Sequence, residues 1–193
     1  MHKSDSTIQQ TITAESSFLV PPTDVSMNGT INGITGGQAT GTTQFVVITN
    51  NSAGYRVDIA FEDNGTGNAM LGDATGSQSL RDYGGDVTGQ PSKGLTASTA
   101  AQFAYTVTSS SSLDTDQSFF HGAGANCDTG VDQSAVCWKA PDTAPFTIVE
   151  RDTSAITGAT SSVIFNVTVP SGASPVPEAE TYTATATLSL FNL

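Results

Sequence analysis

The chain has 193 residues, 37% hydrophobic and only 12% charged, with 18 Asp and Glu against 6 Lys and Arg. That length fits one domain with a two-layer core. The formal net charge of −12 repels phosphate backbones and anionic lipid, which argues against nucleic acid as a partner.

The opening segment, Ser6 to Val20, reads as one strand or a pair of strands. Ile8, Gln10, Ile12 and Ala14 share a face, Phe18 and Val20 follow, and Pro21-Pro22 ends the pairing because neither proline can donate to a ladder. Residues 1–20 are therefore set apart from a body at 21–193. Val25–Met27 reads as a short strand before the Asn-Gly turns at Asn28 and Asn32. Thr42–Thr49 is a strand apolar on both faces, as a central strand is. Asn50–Gly54 turns the chain into Tyr55–Glu62, where Tyr55, Val57, Ile59 and Phe61 alternate with Arg56, Asp58 and Glu62. These two strands are expected to form a hairpin, with Asp58 in water.

Asp63–Leu95 is glycine-rich and weakly patterned, with short strands expected near Ala69–Leu71 and Leu80–Tyr83. Ala100–Ser109 is a strand with Phe103, Tyr105 and Val107 on one face. A second long loop, Ser110–Pro141, precedes strands at Ala144–Glu150, Ser161–Val169 and Thr181–Leu193. In the last of these, Tyr182, Ala184, Ala186, Leu188 and Leu190 alternate with Thr and Ser, the period of two that a strand imposes. No 3.6-residue apolar stripe persists, so the fold class is all-β. The expected architecture is a two-sheet antiparallel β-sandwich of Ig-like or jelly-roll type with two long loops.

Chemistry is sparsely supplied. Cys127 and Cys137 are the two cysteines, and with no second pair to complete a metal site a disulfide is expected, as in exported proteins. His121 has no nucleophile on a rigid turn to serve. Asp114, Asp116, Asp128 and Asp132 sit in turn-like contexts where carboxylates cap backbone N–H groups. No catalytic residue and no cofactor are expected, so the chain reads as a protein that is not an enzyme. Calcium is the ion that fits best, through Asp63–Asn68 with Asp73 or through Asp114–Asp132, although the EF-hand spacing is absent. Asn28, Asn50, Asn64 and Asn166 match the N-x-[ST] glycan-acceptor pattern, and Asn166 is expected to face solvent in mid-strand. Trp138, next to Cys137, reads as packing over the bridge or stacking on a sugar.

The longest apolar run falls short of the ~20 residues of a membrane helix, so no membrane insertion is expected. Met1–Ser6 lacks the apolar centre of a signal peptide, so an exported form would be a processed chain.

Three segments carry a family resemblance: Thr7–Ala14, Gly41–Tyr55 with its Asn50-Asn51-x-x-Gly54-Tyr55 turn, and Val176–Leu188 with its closing Tyr-Thr-x-Thr-x-Thr-Leu run. Together they resemble exported bacterial and archaeal β-sandwich surface-filament subunits, pilin-like proteins of the fimbrial and TasA-like kind. A glycine often found before the closing Tyr is replaced here by Glu180-Thr181. The resemblance implies a structural, extracellular homopolymer in which a terminal strand of one subunit completes its neighbour, with Ile8, Ile12, Ala14 and Phe18 at the joint. Burying Ile8, Ile12 and Phe18 would contribute about 5–8 kcal/mol. The same pattern also suits a first strand paired within its own sandwich. The alternative function is a secreted carbohydrate-binding or adhesin module that takes a surface or glycan ligand on the long loops.

Overall fold

The computed structural model describes residues 9–74, 76–85, 89–95, 99–111, 114–122, 127–128, 130, 132 and 136–193. The described chain is all-β, with a 3-10 turn at Gln117–Phe119. Thirteen strands run in order: β1 Ser16–Val20, β2 Ile31–Asn32, β3 Gly36–Thr49, β4 Tyr55–Phe61, β5 Met70–Gly72, β6 Ser79–Asp82 and β7 Ser92–Lys93. They continue with β8 Gln102–Ser109, β9 Cys137–Trp138, β10 Phe146–Arg151, β11 Ala155–Val169, β12 Tyr182–Thr183 and β13 Ala186–Asn192.

The largest sheet has the order β1-β3-β11-β8-β6-β5-β12, with β2 also on β3. It is mixed rather than wholly antiparallel as expected, because β6 meets β8 in parallel. A second, antiparallel sheet has the order β10-β4-β13, and β7 pairs with β9. Side chains of the two larger sheets form one core. Phe45, Val47, Val107 and Val163 come from the first and Tyr55, Val57, Ile59 and Ile148 from the second, all at most 1% exposed.

Several expectations are revised by this topology. Of the predicted opening strand, residues 6–8 lie outside the described residues, Gln9–Glu15 lie outside any strand, and Ser16–Val20 pair antiparallel to β3. Val25–Met27 are not a strand. They lie against Gly41, where a Cβ would collide with Val25 Cγ1, and Asn28 then pairs with Thr40. β3 and β4 are not a hairpin. Asn50–Gly54 carries the chain from the large sheet to the small one, and Gly54 makes that crossing at φ +92°, where a side chain would run into the Arg151 carbonyl. The predicted closing strand is two: β12 pairs with β5 and β13 with β4, with the break at Ala184-Thr185.

Asp58, predicted to be in water, is 7% exposed. It is held by Arg56 Nε at 3.0 Å and by the Thr147 hydroxyl, which donates at 2.9 Å. Asn166 is 1% exposed between Thr40 and Ala104, not at the surface, and its Oδ1 accepts from the Thr168 hydroxyl at 2.9 Å.

Candidate functional site

A large apolar groove lies between the two larger sheets, with a volume of about 1200 Å³. Its floor is Phe103, Phe165, Val167 and Val169 of the large sheet, with Phe61 of β4. One wall is Ala184, Ala186 and Leu188; the other is Val25 and Met27, held over β3. Residues 176–182 cross one end, where the Pro177 carbonyl lies against Gly33. At the other end the Ser16 hydroxyl donates to Asn192 Oδ1. Asp24, Glu178 and Glu180 stand on the lining, which among the described residues carries no Lys or Arg. A water molecule occupies about 30 Å³ of liquid, so a wet groove would set tens of waters against aromatic rings.

The wall strand explains why the groove is there. β13 ends its sheet, and its registers set Leu188 opposite Ile59 and Leu190 opposite Val57. Ile59 and Val57 are at most 1% exposed, whereas Leu188 and Leu190 are only half-buried. Both pairs face inward. β4 is hydrogen-bonded to both β10 and β13, while β13 is hydrogen-bonded to β4 alone among the described strands, with β1 close beside its Asn192 end.

The backbone of β13 has a defined phase. Glu62 N–H donates to the Thr185 carbonyl and Leu193 N–H to that of Gly54. In an antiparallel ladder hydrogen-bonded pairs recur every second residue. Thr185, Thr187, Ser189 and Phe191 therefore exchange bonds with β4, and Ala186, Leu188 and Leu190 turn their N–H and C=O groups to the open edge. The groove thus combines apolar side chains with a row of backbone donors and acceptors.

The N-terminal segment lies apart from the groove in this chain. Asn50 holds it at the end of the molecule where β13 finishes: Glu15 N–H donates to Asn50 Oδ1 at 2.8 Å, and Asn50 Nδ2 donates to the Thr13 carbonyl at 3.1 Å. The C-terminal Leu193 carbonyl accepts from Asn51 Nδ2 at the same end. Ile12 is 83% exposed and Ala14 is exposed; Ile8 lies outside the described residues. Phe18 packs edge-on against Phe45 of its own chain, centroids 5.8 Å apart.

Cys127 and Cys137 are bonded, with Cα atoms 5.9 Å apart, and His121 pairs through its backbone with both Cys127 and Asp132. His121 Nε2 lies 3.2 Å from Asp132 Oδ2. Trp138, half-buried in β9, pairs with Ser92. Asp114 and Asp116 do not face each other as an acid–base pair. Asp114 takes Arg151 Nη1 on both oxygens at 2.9 and 3.0 Å, and Asp116 caps the 3-10 turn by accepting from Ser118 N–H. Burial, followed by the nearby Asp114 charge, raises the pKa of the Tyr55 hydroxyl. Asp128 occupies a left-handed turn position at φ 62°.

Asp63 and Asn64 cap their own turn, accepting from the N–H groups of Gly65 and Thr66, and Asp73 accepts from the Thr183 hydroxyl. Among the described residues no three His, Cys, Asp or Glu side chains come together to hold a metal ion. Of the four acceptor asparagines, Asn28 and Asn50 are exposed, Asn64 is half-buried and Asn166 is buried.

A smaller hollow of about 260 Å³ lies between Phe61, Ala69, Asp82 and Asp142. Asp82 accepts from Ala69 N–H there. Its pKa is pushed up to about 6, first by burial and then by the Asp142 charge, against the opposing pull of that hydrogen bond.

No protein-family model matches the chain, and no curated protein matches it. Sequence reasoning missed the groove walls at Val25, Met27 and Val176. Their signal was only a scatter of apolar residues among turns.

Proposed function

We propose that this chain is a non-enzymatic structural subunit of an extracellular filament, joined to its neighbours by β-strand addition through its N-terminal segment. In this reading the two larger sheets are the layers of a sandwich that lacks one strand beside β13. The observation that carries it is the apolar groove along the edge of β13, with Ala186 and Leu188 on its lining and only half-buried. An extended segment laid there would satisfy the edge N–H and C=O groups and cover the apolar floor in one step. The resemblance of Thr7–Ala14, Gly41–Tyr55 and Val176–Leu188 to filament subunits points the same way. Because Phe18 is used within its own chain, the joining segment shortens to Ile8–Ala14.

Removing residues 1–14 leaves every described strand intact. The truncated chain is expected to fold as a monomer and form no filaments, as read by negative-stain microscopy beside the full chain. Filaments of ordinary length from the truncated chain would refute the role of the segment.

A further inference from the structure

The direction in which a neighbour's segment enters the groove follows from where the segment leaves its own subunit. Gln9–Glu15 depart from the end marked by Asn50 and Leu193, which is the C-terminal end of β13. In a head-to-tail stack this end faces the opposite end of the next copy, where β13 begins near Ala184. A segment crossing that junction meets Ala184 first with Ala14, and its earlier residues then run on toward Leu190.

We infer that residues 8–14 of a second copy lie antiparallel to β13, with Ala14 opposite Ala184, Ile12 opposite Ala186 and Ile8 opposite Leu190. This rests on the strand-addition reading above and gives it a direction and a register. In this register residues 8–12 face Ala186–Leu190 of β13, while Thr13 and Ala14 face the break at Thr185 and Ala184. The phase of the edge fits it. The even-numbered residues of β13 offer their backbone groups to the edge and point their side chains inward. In an antiparallel pair, directly opposed residues share a face, so Ile8, Ile12 and Ala14 turn inward over Phe165 and Phe103, with Gln10 on the same face opposite Leu188. A one-residue slip would put Gln9, Thr11 and Thr13 there instead.

The test is a cysteine cross-link in the full chain, whose own cysteines are already bonded to each other. In the inferred register Ile12 and Ala186 form a hydrogen-bonded pair with Cα atoms about 5.5 Å apart, inside the ~4.4–6.8 Å range of a disulfide. Ile8 and Ala186 would be four residues out of step, about 13 Å apart. The double variant Ile12→Cys/Ala186→Cys is expected to give a ladder of covalent oligomers on a non-reducing gel after mild oxidation. Ile8→Cys/Ala186→Cys is expected to give none.

A ladder from the second variant alone would overturn the antiparallel direction. A fast-migrating, internally linked monomer from the first would place the segment in its own groove and overturn the exchange. Filaments seen by microscopy with neither pair linked would remove the groove as the seat while leaving the filament reading standing. No filaments from the unsubstituted chain would bring down both.

Discussion

Ile12→Ala separates a joint residue from a core residue. In the single chain Ile12 is 83% exposed, so its truncation changes monomer stability by no more than about 0.5 kcal/mol. In a joint it sits opposite Ala186 above an aromatic floor. The substitution removes three carbons there, and at about 0.8 kcal/mol for each buried CH₂ the joint weakens by about 2.4 kcal/mol. One such joint forms per subunit added, so the concentration needed for assembly rises about 60-fold. Pelleting across a concentration series reads that threshold, and a thermal melt of dilute monomer reads the stability. A Tm lowered by several degrees with an unchanged threshold would make Ile12 part of its own core. An unchanged value for both would mean that the side chain is not used at a joint.

Ile59→Ala, at a position 1% exposed, is expected to cost about 2–5 kcal/mol in chemical unfolding; a loss of the size seen at exposed positions would contradict its place in the core. Replacing Cys127 and Cys137 by Ala opens a loop of sequence separation 10 and should lower stability by about 2.8 kcal/mol in urea, by the loop-entropy relation. Asp82 has a folded pKa of about 6, above its ordinary 3.8, so the folded state holds the proton more tightly. Its contribution is fully present below pH 3.8 and is lost as pH rises through 6. Asp82→Asn should therefore flatten the fall in stability measured by melts across that window. Subunits of net charge −12 repel one another, so raising salt, which shortens the Debye length to about 8 Å at 0.15 M and 3 Å at 1 M, should lower the assembly threshold.

Much of this fold is legible in the period of two. Tyr55, Val57, Ile59 and Phe61 enter the core as their alternation requires, as do Phe45, Val47, Phe103, Tyr105 and Val107. The sequence is silent on which strands become neighbours. Asn50–Gly54 reads as a hairpin turn, because the residues that reverse a chain within a sheet also carry it from one sheet to another. Thr181–Leu193 keeps its alternation across Ala184-Thr185, although the pairing partner changes from β5 to β4 there. A side-chain period records faces and not partners. Asp58 and Asn166 were misplaced for a related reason: alternation assigns them to the outer face but does not show the neighbours that bury them there, Arg56 and Thr147 on Asp58 and Thr168 on Asn166. The groove is harder still to read, since it arises where β13 lies last in its sheet.

The composition of β13 bears on whether that edge is meant to stay open. Solitary sandwiches protect exposed edges with lysines, prolines, bulges or inward charges. Thr181–Leu193 contains no charged residue and no proline, and its ladder with β4 runs from Ala186 to Asn192 without a register shift. Its inward positions are Ala, Leu and Leu, although only one flank is hydrogen-bonded to a neighbouring strand. An edge strand free of every protective device, above a floor of Phe103, Phe165 and Val167, has the character of an interior strand. That is the pattern expected of a strand whose missing neighbour arrives from another copy of the chain.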